Sequence, residues 1–188
     1  AAQNSQFIDR LVLSSNDSLA MKFARSVNCE VPFMRTEELS SDTVAGVDVA
    51  IDAVNRCPGF DYVVLLQPTS PLRTSDDIDS SLRCVMESKA TSCISIVESR
   101  SNPHWMYFRN SQHQLSQVLD GPKITRRQDL PLAYEPNGAI YIANINYLLK
   151  ERSLITTDTI GYEMPRDRSI DIDNIDDFSA AEVFLQQK

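Results

Sequence analysis

The chain has 188 residues, 42% hydrophobic and 23% charged, which is the composition of a globular protein of about one domain. Its net charge of -8 argues against a general nucleic-acid binder, which needs a basic face to displace counterions, but leaves room for a nucleotide substrate. No apolar run approaches the roughly 20 residues of a membrane span, and no signal-peptide pattern opens the sequence, so we expect a cytoplasmic protein.

Short apolar runs alternate with helical stretches in the first half of the chain. In order, the pattern predicts a strand at 11–13, a helix at 18–27, an extended piece at 31–34, a helix at 43–55, a strand at 61–66, a helix at 74–88 and a strand at 92–97. Leu19, Phe23 and Val27 share one stripe of the first helix. This order predicts an α/β fold of three layers, helices on both faces of a mostly parallel sheet.

The alternation breaks at residues 98–136, a stretch with the only tryptophan, Trp105. We interpret it as an insertion with short strands, because its aromatic side chains need a surface to pack on. The pattern then predicts a strand at 138–143, a helix at 144–150, a polar–apolar alternation at 169–173 and a last helix capped by Asn174. The four cysteines lack the spacing of a zinc site and are expected to be free thiols in a reducing compartment.

A rigid polar loop at 67–73 follows the most apolar strand and precedes a helix that begins with the capping pair Thr74 and Asp77. Ligands of open α/β sheets bind beyond the carboxyl ends of strands. The loop offers hydrogen-bonding groups and one cation: Gln67, Thr69, Ser70 and Arg73. A plain strand-to-helix turn explains the same residues.

Two aspartates, Asp171 and Asp173, stand two positions apart near the C-terminus. In an extended segment they share one face, and two hard oxygen ligands side by side suit Mg²⁺ that also binds substrate phosphate. A solvated acidic segment before a helix is the alternative.

Two further stretches carry polar groups in suggestive positions. Arg127, next to another arginine, could clamp a carboxylate or phosphate, and a tight turn at Asn137 and Gly138 leads into a strand that contains Tyr141. A surface ion pair and a hairpin turn are the alternative. A third small group of polar residues lies just before the second predicted helix: Arg35, Asp42 and Thr43. It is either a simple N-cap or a site where backbone N–H groups bind an anion.

Together these stretches resemble one family. Residues 35–43, 66–73, 137–142 and 169–173 resemble, in that order, the R-P-x-E-L-A-S-D-T, L-Q-P-T-S-P-L-R, N-G-A-I-Y-I and S-I-D-I-D segments of the acylneuraminate cytidylyltransferases, or CMP-sialic acid synthetases. The resemblance covers nearly the whole chain and implies a single nucleotidyltransferase-like domain over residues 1–188. It implies that residues 98–136 form a dimerisation element of a homodimer.

The resemblance also implies roles. The chain would transfer CMP from CTP to a sialic-acid-like 2-keto sugar acid, of the N-acetylneuraminate, legionaminate or pseudaminate type. Asp171 and Asp173 would hold Mg²⁺, and Arg127 would face the sugar carboxylate or the phosphates. Gln67 would bind the sugar acid beside Tyr141, with Thr69, Ser70, Arg73, Asn137 and Gly138 around the substrate. The nucleotide would lie near Arg35, Asp42 and Thr43.

One departure is the family's phosphate-binding loop, near A-R-G-G-S-K-G, which nothing here matches; residues 1–10 are expected to be the end of the helix that follows the family's first strand. The absence favours one alternative, a non-catalytic dimeric binding or scaffold domain of the same fold. A phosphatase of another α/β fold is the other alternative, but its Asp-x-Asp pair usually follows the first strand.

Overall fold

The computed structural model describes residues 1–41, 43–122 and 124–186. Within these ranges the chain forms five α-helices and six strands. The helices are α1 Ser18–Ser26, α2 Gly46–Arg56, α3 Ser75–Ser88, α4 Ile145–Glu151 and α5 Ile175–Gln186; the strands are β1 Tyr62–Leu65, β2 Ser92–Glu98, β3 Tyr107–Arg109, β4 Leu115–Gln117, β5 Tyr134–Asn144 and β6 Ile160–Glu163. No helix in these ranges is long and apolar enough to cross a membrane.

The main sheet has the strand order β1-β5-β2-β6. Strand β5 is antiparallel to both β1 and β2, whereas β2 and β6 are parallel, so three of the four strands run in one direction. Strands β3 and β4 pair separately as an antiparallel hairpin inside the 98–136 excursion.

Helices cover both faces of this sheet. On one face α3 buries Ile78, Leu82 and Val85 against apolar side chains of β2 and β5. On the other face Ile51 of α2 and Leu148 of α4 pack with Ala143 of β5 and their neighbours. The predicted three-layer α/β arrangement is therefore confirmed.

Local capping explains where two helices begin. Asp17 accepts hydrogen bonds from the backbone of Leu19 and Ala20 and starts α1. Thr74 and Asp77 form the predicted capping box of α3. Such caps use groups a few residues apart, which is why the sequence predicts these helix starts well.

Several predicted elements differ in the structure. The predicted strand at 11–13 is reduced to one parallel bridge between Val12 and Glu30. Residues 1–10 contain a single 3-10 turn, Ala2–Asn4, instead of a helix end. Helix α2 begins at Gly46 rather than at Thr43, after an N-cap, Ala45, that has no capping side chain. Strand β6 was not predicted; it is a short strand at one edge of the sheet.

The apolar stripe of α1 also lies on an unexpected side. Leu19 is 76% exposed and Phe23 is 69% exposed, whereas Met21 and Ala24 are buried. Periodicity predicts which residues share a face, but not which face meets the core when both carry apolar groups.

Candidate functional site

The predicted site residues of three segments meet beyond the carboxyl end of β1. Because β5 is antiparallel to β1, with Leu65 opposite Tyr141, the first residues of β5 lie beside the loop that follows β1. Ile172, between the two aspartates, donates its backbone N–H to the Thr69 carbonyl at 2.9 Å. The 67–73 loop, the start of β5 and the 171–173 segment therefore form one cluster.

Gly138 lies at the centre of this cluster. A Cβ added at residue 138 would lie 2.9 Å from Gln67 Oε1 and 3.0 Å from Asp171 Oδ2. The φ angle of Gly138 is +75°, in the left-handed region that favours glycine. The side chains of Gln67 and Asp171 thus approach a point on β5 that only a residue without a side chain leaves open.

The two aspartates differ in their surroundings. Oδ1 of Asp171 is buried and has no hydrogen-bond partner in the part of the chain that the structure describes. Asp173 is exposed, and its backbone N–H bonds the carboxylate of Asp177 at 3.1 Å. Asn174 Oδ1 accepts from the N–H groups of Asp176 and Asp177, so this residue caps α5 as predicted.

The residues present fit a magnesium ion. A buried carboxylate oxygen without a partner is costly, and a cation would satisfy it. Among residues 1–41, 43–122 and 124–186, no group of three or more His, Cys, Asp or Glu side chains forms a ready-made metal cage. Magnesium usually takes one or two carboxylates and completes its shell with waters and substrate phosphates, which is the donor set that Asp171 and Asp173 offer.

Arg73 is turned into the protein. Its Nη1 donates to the carbonyls of Gln67 at 2.7 Å, Ser70 at 2.8 Å and Ala139 at 3.2 Å. Burial lowers the pKa of the guanidinium to about 10. In this structure Arg73 closes the loop on itself and ties it to β5; its predicted contact with substrate stays a prediction.

Ser70 and Asn137 are also engaged internally. Ser70 is fully buried, and its hydroxyl donates to the Asn137 carbonyl. Asn137 Oδ1 accepts from Ala139 N–H at 3.2 Å and from the hydroxyl of Ser95, and its Nδ2 donates to Ser169 Oγ at 2.9 Å. Asn137 therefore joins β5, β2 and the segment that leads to Asp171.

Ser95 is a residue that sequence reasoning missed. It lies in β2 where the register with β5 shifts, and its Oγ accepts the N–H of Ile140 at 2.8 Å. A serine inside an apolar strand is the one sequence signal that marks it, because a buried hydroxyl there needs a partner.

Tyr141 lies next to the cluster and is half-buried. Burial, and then the negative charge of Asp171, raise the pKa of its phenol. It lines a cavity of about 300 Å³ together with Gln67 and seven residues that the sequence did not single out: Gly46, Val47, Leu65, Arg152, Ser153, Leu154 and Ile155. Arg152 at the end of α4 bonds Asp48 of α2 at 2.6 Å.

The other predicted residues have different surroundings from those of this cluster. Arg35 donates to Ser40 Oγ at 3.2 Å, Thr43 is exposed beside Ser41, and Arg127 is exposed in the 3-10 turn Arg127–Asp129. No hydrogen bond or ion pair among the described residues joins these three to Gln67, Gly138 or Asp171. Asp42 lies outside the described residues.

A larger cavity of about 540 Å³ lies elsewhere, between the 7–12 segment and the residues around β1. None of the predicted site residues that the structure describes lines it. Size alone therefore does not mark the candidate site, whereas the convergence of polar groups does.

The fold is that of solved nucleotidyltransferases. The chain superposes on CMP:2-keto-3-deoxy-manno-octonic acid synthetase complexed with CTP with a TM-score of 0.68, at 11% identity over 99% of this chain and 84% of the other. It superposes on 4-diphosphocytidyl-2C-methyl-D-erythritol synthase from Anaerococcus prevotii with a TM-score of 0.65, at 10% identity over 98% of this chain and 82% of the other. At these identities the likeness concerns the fold alone, and it confirms the predicted nucleotidyltransferase-like fold.

Proteins similar in sequence indicate which kind of nucleotidyltransferase the chain resembles. The chain is 29% identical over its whole length to post-translational flagellin modification protein B of Campylobacter coli and to CMP-N,N'-diacetyllegionaminic acid synthase of Campylobacter jejuni, covering 81% of each. It is 34% identical over 145 residues to N-acylneuraminate cytidylyltransferase of Streptococcus agalactiae, where the match spans 77% of this chain but 35% of the relative. No family model matches the chain. The resemblance to acylneuraminate cytidylyltransferases predicted from the four motifs is confirmed by these relatives.

Proposed function

We propose that this chain transfers CMP from CTP to the anomeric hydroxyl of a sialic-acid-like 2-keto sugar acid. The anomeric hydroxyl releases its proton to solvent as its oxygen forms a bond to the α-phosphorus, the bond from that phosphorus to the bridging oxygen breaks, and pyrophosphate leaves. The relatives named as N-acylneuraminate and legionaminic acid cytidylyl enzymes support this reaction. The observation that carries it is the approach of Gln67 and Asp171 to Gly138, beside a cavity.

Asp171 and Asp173 are the residues that hold Mg²⁺ in this proposal. The unpartnered Oδ1 of Asp171 supports the assignment. When bound, the cation would act as a Lewis acid that neutralises charge on the phosphates. The chain itself positions the two carboxylates through the bond from Ile172 to Thr69. Such a reaction needs positioning and charge stabilisation and no covalent nucleophile.

The sugar acid binds, in this proposal, in the 300 Å³ cavity. Gln67 and Tyr141 contribute an amide and a hydroxyl to the lining of this cavity, and Leu154 and Ile155 contribute apolar surface. A mostly apolar pocket with a few convergent polar groups is the usual construction of a small-molecule site. The roles of Thr69, Ser70, Arg73 and Asn137 in substrate binding extend this proposal to the surrounding loop.

The nucleotide and the phosphates take the remaining residues. Arg35, Asp42 and Thr43 are assigned to the nucleotide side, before α2. Arg127 is assigned to the sugar carboxylate or the phosphates. Its exposure on a turn of the 98–136 excursion leaves its guanidinium available. Cations of this kind recognise carboxylates and phosphates by paired hydrogen bonds.

A homodimer that forms through the 98–136 excursion completes the proposal. This segment exposes Trp105, Tyr107, Phe108, Leu115 and Leu132, of which Phe108 is 64% and Leu132 is 70% exposed. A concentration of large apolar groups on one inserted segment is typical of an interaction surface.

We propose that the protein works in the cytoplasm, where free thiols such as those of its four cysteines persist.

The direct test supplies the full chain with CTP, Mg²⁺ and a panel of sugar acids, and measures both pyrophosphate and the CMP-linked product by mass spectrometry. The panel includes N-acetylneuraminate, a legionaminate, a pseudaminate and 3-deoxy-manno-octulosonate, with ATP and UTP as nucleotide controls. CMP-sugar formed from one of the nine-carbon acids is the expected result. CTP binding without product for every acid would favour the scaffold alternative and overturn the proposal.

A further inference from the structure

The two aspartates are attached to helix α3 by an ion pair outside the candidate site. Arg168 stands three residues before Asp171, at the end of the 3-10 turn Arg166–Arg168. Its Nε donates to Asp77 Oδ2 at 3.0 Å and its Nη2 donates to Asp77 Oδ1 at 2.7 Å. Two parallel bonds fix the direction of a guanidinium as well as its distance.

Asp77 is unusual for a carboxylate because it is 1% exposed. Buried carboxylates are rarely tolerated without partners. Besides the two bonds from Arg168, Asp77 Oδ2 accepts the N–H and the hydroxyl of Thr74 at 2.8 Å each, and the hydroxyl of Tyr162 approaches its Oδ1 at 3.3 Å. A helix cap alone would need only the Thr74 contacts, so the bidentate pair with Arg168 calls for a further explanation.

The pair connects both parts of the candidate site. Thr74 directly follows Arg73, which closes the loop of Gln67 and Ser70. Arg168 directly precedes Ser169, whose Oγ accepts from Asn137 Nδ2 at 2.9 Å. Further on, Ile172 bonds the Thr69 carbonyl. Residues 168–172 are therefore held at three successive points: Arg168 bonds α3, Ser169 bonds β5 and Ile172 bonds the 67–73 loop. The ion pair is the only charged one of these three contacts.

We propose that Arg168 and Asp77 are positioning residues that hold Asp171 and Asp173 against the 67–73 loop, so that their loss weakens divalent-cation binding more than substrate binding. This inference rests on the proposed function for its kinetic readout. It goes beyond that function because neither residue is a candidate for contact with substrate or metal. Carboxylates that are already held in place lose little conformational entropy when they bind a cation, whereas a mobile pair must first be ordered, which weakens binding.

The experiment compares Arg168→Met and Arg168→Lys with Arg10→Met, all in the full chain. Arg10 is a matched control because it bonds Glu30 through Nε and Nη2 at 3.1 and 2.9 Å, but on the exposed surface. A double variant, Asp77→Asn with Arg168→Met, removes both charges and leaves no buried charge unpaired, which protects against simple failure to fold.

The first readout does not depend on activity. Hydrogen–deuterium exchange of residues 169–173, in particular of the Ile172 amide, should quicken about tenfold in Arg168→Met and the double variant, because local opening precedes exchange. It should stay unchanged in Arg10→Met. Unchanged exchange at Ile172 in folded variants would overturn the inference, whether or not the protein proves to be a cytidylyltransferase.

The second readout is the Mn²⁺ affinity in the presence of CTP, measured by electron paramagnetic resonance, with the Mg²⁺ concentration for half-maximal rate beside it. Both should weaken by about fivefold or more in Arg168→Met, with partial recovery in Arg168→Lys, while the KM values for CTP and sugar acid change by less than about twofold at saturating Mg²⁺. Equal changes in the Mg²⁺ requirement and in the KM values for CTP and sugar acid would overturn the positioning role. A wild-type chain without any turnover would instead contradict the proposed function, and the exchange measurement would still decide the inference.

Discussion

At the scale of single residues, the candidate site depends on Gly138 and on the two side chains that approach it, Gln67 and Asp171. The family resemblance, rather than the spacing of residues, implied that Gln67 and Asp171 share one site, and the structure brings both side chains close to Gly138. The inward direction of Arg73 does not follow from the sequence. A guanidinium after a turn can face solvent or the loop carbonyls, and only the packing of β5 against the loop decides.

Replacement of Gly138 by alanine tests the close approach. The new methyl group would contact Gln67 Oε1 at 2.9 Å and Asp171 Oδ2 at 3.0 Å, and the φ of +75° adds about 1–2 kcal/mol of strain. We expect Gly138→Ala to lose most of its turnover and to unfold several degrees lower in a thermal melt. Gly59→Ala is the control, since Gly59 has φ +99° but nothing within 4 Å. If both variants kept full activity, Gly138 would not be part of the site.

Replacement of Gln67 by alanine tests which substrate this residue meets. Gln67 lines the cavity together with Tyr141 and is half-buried. We expect the KM for the sugar acid to rise about tenfold or more, as the loss of a hydrogen bond to a polar substrate predicts, with the KM for CTP nearly unchanged. Steady-state kinetics with each substrate varied in turn gives both values. Equal increases in both would show that Gln67 does not belong to the sugar side.

At the scale of elements, the sequence predicts best where the signal is local. The capping box of α3 and the cap of α5 depend on groups within four residues of each other, and both were predictable. The partner of Asp77, Arg168, lies 91 residues away and was not. The predictions of the buried face of α1 and of the start of α2 were wrong for a similar reason, because contacts between residues distant in sequence select among locally equivalent choices.

The ion pair of α3 gives the protein a predictable response to acid. Burial opposes ionisation of Asp77, but hydrogen bonds from Arg168 and Thr74 outweigh it and lower the pKa of this carboxyl. A carboxyl whose pKa is lower in the folded state stabilises the fold above its unfolded pKa of about 4, and that stability is lost as the pH falls below it.

Asp77→Asn should therefore destabilise the protein by about 3 kcal/mol at pH 7, because Arg168 is left without its partner. Denaturant unfolding at several pH values between 7 and 3 measures the effect. The difference between wild type and variant should shrink as the pH falls. A difference that stays constant over this range would mean that the charge of Asp77 contributes nothing.

At the scale of the whole molecule, the three-layer architecture was predictable from the alternation of elements, whereas the direction of β5 was not. The 98–136 excursion separates β2 from β5, and an insertion of that length can return the chain in either direction. Because β5 runs opposite to β1 and β2, its first residues, rather than its last, reach the site.

The excursion should govern assembly. Phe108 and Leu115 sit on the β3–β4 hairpin and are each 64% exposed. Phe108→Glu or Leu115→Glu should convert the proposed homodimer into monomers, because a charge at the core of an interface is strongly unfavourable. Light scattering after size-exclusion chromatography measures the mass, and Val183→Glu on the exposed side of α5 is the control. A wild-type chain that is already monomeric would contradict the assignment of this surface.

In our proposal the transfer of CMP depends on the carboxylates of the 171–173 segment. Pyrophosphate release from CTP, at saturating Mg²⁺ and sugar acid, is measured for Asp171→Asn and for Asp176→Asn, whose exposed carboxylate lies five residues further along. We expect a loss of about a hundredfold or more for Asp171→Asn, equivalent to the several kcal/mol that a metal and its ligands supply, and a change below about twofold for Asp176→Asn. A folded Asp171→Asn variant that turns over like the wild type would contradict the proposal.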